Sequence, residues 1–192
     1  MKKIILLATL LSLPVFAKET KKPVIKESKE EKVTRVNKSL GYYEEMTKVI
    51  MHPRCLNCHP AGDRPTQGMD MHVHQMNVQR GQFGDGNTGM RCATCHLEVN
   101  NNVAGVPGAP RWMLAPKSMS WQGKTKGQIC RQLKDSKKTH MTLEELVTHN
   151  GEDELVAWGW NPGNGREPVP GTQKEFGELT AAWVASGAEC PK

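Results

Sequence analysis

The sequence predicts a mainly α-helical protein whose helices are joined by long, irregular connections. Three observations predict this fold class. Apolar residues or capping patterns mark four short helical segments, and no strand signal of any length is present. Stretches rich in glycine and proline occupy residues 60–91, 99–126 and 159–171. Because loops this long inside a compact body usually surround something or serve a function, the connections are themselves informative.

The first two helices are predicted from apolar spacing. The first covers residues 40–51 and ends before His52 and Pro53, since the residue before a proline is biased away from helix. The second covers residues 127–134, where Ile129 and Leu133 are four positions apart and share a face.

The last two helices are predicted from their capping patterns. Thr142 and Glu145 form a capping-box pattern that opens "LEELVTH", and Thr172 and Glu175 form the same pattern before "EFGELTAAWVASG". Gly187 follows as a C-terminal stop. Four large apolar residues of this last helix share one face: Phe176, Leu179, Trp183 and Val184.

Residues 1–17, "MKKIILLATLLSLPVFA", have the pattern of a signal peptide. Lys2 and Lys3 precede a short apolar run, and Ala17 follows as a small residue at the expected cleavage position. The run is shorter than a stable bilayer anchor needs, although a membrane helix or a buried helix is the alternative. We therefore expect export to a bacterial periplasm, with no membrane span after cleavage.

Charge is concentrated in residues 18–38, which carry eight basic and four acidic side chains and no aromatic residue. Such a stretch buries too little apolar surface to offset its ordering entropy, so we predict a flexible tail. The remaining residues, 39–192, hold 16 basic and 16 acidic side chains and are predicted to form one domain. With no basic excess to neutralise phosphates, nucleic-acid binding is not expected.

The domain has few of the side chains that build a core. Aromatic residues make up 5% of the chain and hydrophobic residues 37%. A body this lean needs a disulfide, a metal or a large apolar cofactor to be stable.

One hexapeptide pattern, Arg-Cys-x-x-Cys-His, occurs twice, as "RCLNCH" at 54–59 and "RCATCH" at 91–96. Cys-x-x-Cys-His is the attachment signature of c-type haem. Cysteines three apart lie on one side of a helical turn and can bond the two vinyl groups of one porphyrin, while the histidine binds the iron. We predict two thioether-linked haems (iron protoporphyrin IX), held by Cys55, Cys58 and His59 and by Cys92, Cys95 and His96.

Other uses of these cysteines are less favoured. A four-cysteine zinc ribbon places its two pairs about 15–20 residues apart, closer than here, and gives no reason for a histidine after each pair. Two short disulfides are strained and are usually redox-active. Cys130 and Cys190 are left over, and in an oxidising compartment we favour a disulfide between them. The alternatives are free thiols or a cysteine ligand to iron.

The ligand on the other face of each iron decides whether a haem carries electrons or is open for catalysis. His74 lies in "MDMHVHQM" between the two motifs, and Met119 lies in the loop "APKSMSW" after the second motif. His149 closes the "LEELVTH" helix and could equally cap its C-terminus. All three are candidate distal ligands, against the alternative that they are solvated or packing side chains.

The strings "MHPRCLNCHPAGDRPTQG", "GMRCATCH", "GVPGAP", "ICRQLKD" and "WGWNPGNGREPVPGTQKEFGEL" carry a family resemblance. Over roughly residues 50–190 the chain resembles small exported di-haem cytochromes that are often labelled as an isoquinoline 1-oxidoreductase subunit. The resemblance implies an electron carrier that serves a periplasmic dehydrogenase of the molybdenum hydroxylase type. It also implies His74, Met119 and His149 as the distal candidates and places less weight on His72, His140 and Met113.

Three functions are compatible with two haems in a small domain. An electron carrier needs only to place and tune its haems, and this is the reading we favour. A di-haem enzyme, such as a peroxidase or a cytochrome that oxidises sulfur compounds, needs one open or cysteine-ligated iron. A haem-based sensor is the third class, but no signalling domain accompanies the motifs.

Overall fold

The computed structural model describes residues 27–192. The predicted signal peptide and the first part of the predicted tail lie outside the described residues. Of the described residues 48% are helical and 6% are in strands or bridges, which confirms the mainly α fold class. Within this range no helix combines the length and apolarity that crossing a membrane requires.

Seven α-helices occur in the described part of the chain: α1 Lys29–Ile50, α2 Pro53–Cys58, α3 Lys126–Leu133, α4 Ser136–Thr139, α5 Leu143–Glu152, α6 Glu154–Ala157 and α7 Gln173–Ala185. Two small antiparallel hairpins lie between α2 and α3. Strand β1 (Thr66–Gln67) pairs with β2 (His72–Val73), and β3 (Gly86–Asn87) pairs with β4 (Met90–Arg91). Single 3-10 turns are formed by Gln75–Asn77, Cys92–Thr94, Lys117–Met119 and Trp158–Trp160.

All four predicted helices are present, as α1, α3, α5 and α7. The capping boxes predicted at Thr142 and Thr172 are both formed, since each threonine accepts a main-chain N–H and each glutamate returns the hydrogen bond. A third capping box, at Thr125 and Gln128, opens α3. The short helices α2, α4 and α6 were not predicted, because four to six residues give no readable apolar period.

Residues 29–38 correct the prediction of a flexible tail, because they form the first part of α1. Ser28 opens the helix with a capping box. Arg35 Nη1 donates to the main-chain oxygen of Ser186 at 2.8 Å and lies 3.2 Å from Glu189 Oε1. This charged segment is ordered because it is capped at its start and docked onto the end of α7.

The apolar core lies where α1 and α7 meet α3. Trp183, Tyr43 and Met46 are fully buried, and the rings of Tyr43 and Trp183 have centroids 5.7 Å apart. Cys130 on α3 and Cys190 after α7 form a disulfide, the pairing that the sequence favoured. A disulfide between two residues so far apart in the sequence typically stabilises a fold by about 2–4 kcal/mol.

Helices α5 and α7 approach each other closely through a pair of glycines. A Cβ atom added to Gly177 would lie 2.6 Å from Gly151 Cα, and one added to Gly151 would lie 3.1 Å from Gly177 Cα. Beside this contact, Asn150 Nδ2 donates to Thr180 Oγ1 at 3.0 Å inside the core. The contact between Gly151 and Gly177 fixes the position of α5. It therefore also fixes the position of His149, which lies near Gly151 on the same helix.

Gly177→Ala should lower the free energy of unfolding by about 1–3 kcal/mol, because the added methyl group meets a backbone that cannot yield. Gly41→Ala is the matched control, since Gly41 lies inside α1 with no atom near its absent Cβ. It should raise the free energy of unfolding by about 0.5–1 kcal/mol. Urea unfolding followed by circular dichroism measures both, and equal effects of the two substitutions would contradict the close α5–α7 contact.

Candidate metal centres

The first Cys-x-x-Cys-His motif is built on the short helix α2. Pro53 starts the helix, and His52 caps it by accepting the main-chain N–H of Arg54. Cys55 and Cys58 are three positions apart on this helix and therefore share a face. Both sulfurs are free. The two free sulfurs therefore lie on one side of a helical turn, as their spacing predicts.

His59 ends α2 and is held from two sides. Its Nδ1 lies 2.6 Å from the main-chain oxygen of Met119, and its ring stacks on Trp121 with centroids 3.5 Å apart and planes 7° apart. A carbonyl oxygen only accepts, so Nδ1 carries the proton and Nε2 keeps its lone pair. Burial lowers the pKa of His59 to about 4, so the ring is neutral at neutral pH. A neutral, oriented imidazole with a free Nε2 is what a metal ligand requires.

The second motif repeats this arrangement in a different backbone. Cys92–Thr94 form a 3-10 turn, and Cys92 and Cys95 are free. His96 Nδ1 lies 2.8 Å from the main-chain oxygen of Pro107, and the His96 ring stacks on Trp112 with centroids 4.5 Å apart and planes 5° apart. Burial also lowers the pKa of His96. Each motif histidine therefore has a carbonyl behind Nδ1 and an indole against its face.

Asn100 organises the loop behind His96. Its Oδ1 accepts from Gly108 N at 3.1 Å and from Trp158 Nε1 at 3.0 Å, and its Nδ2 donates to Asn161 O at 2.9 Å. The Trp158 ring meets Trp112 edge to face, with centroids 4.9 Å apart. The Asn100 side chain thus connects the loop that contains Pro107 to the Trp112 and Trp158 rings beside His96.

The two motifs are neighbours. Ala115 N donates to Cys58 O at 3.1 Å, and Leu114 N donates to Gly84 O at 2.9 Å. Cys92 Sγ in turn lies 3.9 Å from the same Gly84 oxygen. Burial, and to a lesser extent Cys92, raises the pKa of Cys58 to about 11. Residues 114–115 therefore bridge the last cysteine of one motif and the first cysteine of the other.

The apolar side chains near the two motifs differ in how deeply they are buried. Leu56 and Met119, next to the first motif, belong to the buried core. The chain segment that contains the second motif carries nine exposed large apolar side chains: Met69, Val73, Met76, Phe83, Met90, Leu97, Val99, Val103 and Met113. Large exposed apolar side chains that form a contiguous patch mark a binding surface. A large flat apolar cofactor at this motif would cover surface that the chain leaves open.

Two buried donors, Arg64 Nε and Trp121 Nε1, have no hydrogen-bond acceptor within the described residues, and Arg80 Nε has only Asp63 Oδ1 at 3.6 Å. Buried polar groups normally have partners, so each calls for an explanation. Trp121 is the indole that stacks on His59. The carboxylate side chains of a haem are acceptors of the kind that these donors lack, so the residues present fit such a group.

The three distal candidates take different places. His74 lies across from His96, with ring centroids 6.0 Å apart. His149 lies near His59 and adds a small part to the lowering of its pKa, after burial. Met119 is buried in the core, and its main-chain oxygen faces Nδ1 of His59. Since Nε2 is the nitrogen left for a metal, the main-chain oxygen of Met119 lies on the other side of the His59 ring from that nitrogen.

Sequence reasoning did not identify the main-chain acceptors at Met119 and Pro107 or the stacking partners of the two histidines. Main-chain oxygens leave no signal in a sequence. In residues 27–192 there is no group of three or more His, Cys, Asp or Glu side chains placed to hold a metal by protein ligands alone. Comparisons with protein-family models, curated proteins and solved structures return no match to this chain.

Asn100→Ala should lower the free energy of unfolding by about 2 kcal/mol, because it leaves the Gly108 and Trp158 donors unpaired. Asn100→Asp keeps an acceptor for both donors, but its second oxygen faces the carbonyl oxygen of Asn161. Its loss should therefore be about half as large only at a pH low enough to protonate the carboxyl group, which then donates to that oxygen. Thermal unfolding of the two variants at equal pH gives the comparison. If Asn100→Ala has no effect, the network does not stabilise the loop.

Proposed function

We propose that this protein is an exported, periplasmic di-haem c-type cytochrome that carries electrons between redox proteins. The observation that carries the proposal is the repeated arrangement at both Cys-x-x-Cys-His motifs. Each has two free cysteines on one turn, followed by a histidine whose Nδ1 is bonded to a carbonyl and whose Nε2 is left free. A pair of disulfides would not need the histidine in this orientation, and a zinc ribbon is disfavoured by the 33 residues between Cys58 and Cys92.

The roles of the residues follow from their positions. Cys55 and Cys58 attach the first haem, and Cys92 and Cys95 attach the second, each through thioether bonds to its vinyl groups. His59 and His96 bind the irons, and their carbonyl and indole contacts prevent ring rotation. When bound, a haem supplies a one-electron iron couple whose potential depends on axial ligands and burial.

The chain promotes electron exchange between the two haems by holding their attachment sites close together. The segment 114–115 contacts Cys58 directly and reaches Cys92 through Gly84, so the attachment points of the two haems are anchored side by side. The protein needs no acid or base for such an exchange. This arrangement supports a carrier that accepts an electron at one centre and passes it to the other.

A redox partner of the molybdenum hydroxylase type is supported by the family resemblance of the motifs. The near-neutral charge of residues 39–192 argues for a docking surface based on shape and apolar contact more than on long-range steering. The exposed apolar side chains in the chain segment 69–113, which contains the second motif, favour that motif as the exchange end.

The alternative of a di-haem enzyme requires an open or cysteine-ligated iron. Cys130 and Cys190 are bonded to each other, so neither offers a thiolate to a metal. An open iron would bind carbon monoxide. A carrier whose irons are both six-coordinate would not, and the absorption spectrum of the reduced protein under carbon monoxide separates the two functions.

Covalent attachment is tested with paired cysteine variants expressed in cells that mature c-type cytochromes. Cys55→Ala/Cys58→Ala should lose one of two haems, and Cys92→Ala/Cys95→Ala should lose the other, because each pair supplies both thioethers of one porphyrin. Intact mass and haem-stained denaturing gels report the number attached. Retention of two haems by either variant would contradict the assignment.

Cys130→Ser/Cys190→Ser is the matched control for loss of two cysteines. It should keep both haems, because these sulfurs are joined in a disulfide away from the motifs. Its free energy of unfolding should fall by about 2–4 kcal/mol. Loss of a haem from this variant would mean that the cysteines were assigned to the wrong roles.

A further inference from the structure

We propose that His74 is the distal axial ligand of the haem attached through Cys92 and Cys95, so that this iron is held between two imidazoles, those of His96 and His74. The inference rests on the proposed function and specifies one of its two metal centres. It is carried by the spacing of the two rings, by their free nitrogens and by the hairpin that holds His74.

The distance between the two rings matches a shared metal. The ring centroids of His74 and His96 are 6.0 Å apart, and the planes are inclined at 68°. A metal–imidazole bond is about 2.0–2.1 Å long and the centre of the ring lies about 1.1 Å beyond the nitrogen, so two imidazoles on opposite sides of one metal have centroids about 6 Å apart. Edge-to-face packing of two rings also occurs at this separation, so the choice between the two depends on the free nitrogens of both rings.

Both rings offer the same nitrogen. His74 Nδ1 lies 2.7 Å from the main-chain oxygen of Gln75, and His96 Nδ1 lies 2.8 Å from that of Pro107. Since a carbonyl only accepts, each Nδ1 carries a proton and each Nε2 has its lone pair available. His74 is thus fixed in the same tautomer as the proximal histidine.

The backbone around His74 holds it at a defined position. His74 N donates to Pro65 O at 2.9 Å, and its own carbonyl accepts from Arg64 Nη2 at 2.9 Å. Gln75 N donates to Gln67 Oε1 at 3.1 Å, which ties the residue after His74 to strand β1. These bonds attach His74 directly to the end of the β1–β2 hairpin.

The turns on either side of His74 are strained. Met71, Met76 and Asn77 have φ values of 52°, 60° and 53°, in the left-handed region that side chains with a Cβ rarely adopt. Such residues cost about 1–3 kcal/mol each and persist where the surroundings impose them, often at ligand sites. The hairpin therefore carries strain around the one histidine that faces His96.

The other histidine of the hairpin is not placed in this way. His72 Nδ1 is paired with Asp70 Oδ1 at 2.7 Å, and the side chain is exposed. Strand β2 ends at Val73, and His74 begins the 3-10 turn that follows, so the strand does not set the direction of the His74 side chain. His149 is near His59 and 3.7 Å from Asp153, so it belongs to the other centre.

The test compares His74→Ala with His72→Ala in the full mature protein, after intact mass has shown two haems on the chain. His74→Ala should convert one of the two haems to a high-spin form that binds carbon monoxide, giving about half of the signal of a protein with two open haems. His72→Ala should keep the wild-type spectrum. Added imidazole should return His74→Ala to the low-spin form.

If His74→Ala does not acquire its haems during maturation, the variant His74→Met provides a second test. It should replace imidazole by a thioether at one iron, raise the midpoint potential of that haem and add the far-red band of methionine ligation. Two attached haems with wild-type spectra and no carbon monoxide binding in the His74 variants would overturn this inference alone. Absence of attached haem from the wild-type protein would overturn the proposed function as well.

Discussion

The hydrogen bond from Nδ1 of each motif histidine to a main-chain carbonyl is the constraint on which the rest of the structure depends. It fixes the tautomer, and the stacked indole fixes the ring plane. Each bond contributes only about 1 kcal/mol to stability, so its main effect is orientation. The long loops contain Met119 and Pro107, and they place the main-chain oxygens of these residues against the two histidines.

The molecule is divided between a packed part and an incomplete part. Helices α1, α3, α5 and α7 form a core that the disulfide and the glycine contact reinforce, and α2 places the first motif against it. The second motif lies among hairpins and loops whose apolar side chains are exposed. A cofactor at that motif would therefore act as part of the local core, while a cofactor at the first motif would extend a core already present.

Much of the helical framework could be predicted, because its signals are local. The capping boxes at Thr142 and Thr172 mark helix starts through side chains that the sequence names directly. The start of α1 was missed because its charged first turns are held by a distant partner, the end of α7, which composition does not reveal. At the two motifs, the repeated spacing of two cysteines and a histidine could be read from the sequence, and their role in holding haem stays a proposal. The ring of His74 opposite His96, and the place of Met119 behind His59, depend on loop conformations that no periodicity encodes.

The central claim is that two haems are bound covalently per chain. The most direct measurement is the pyridine haemochrome spectrum of the purified mature protein from maturation-competent cells, with protein concentration determined independently by amino-acid analysis. We expect two haems per chain, with the spectrum of porphyrins that are each attached through two thioether bonds. Fewer than two haems per chain, or stoichiometric zinc in place of iron, would contradict it.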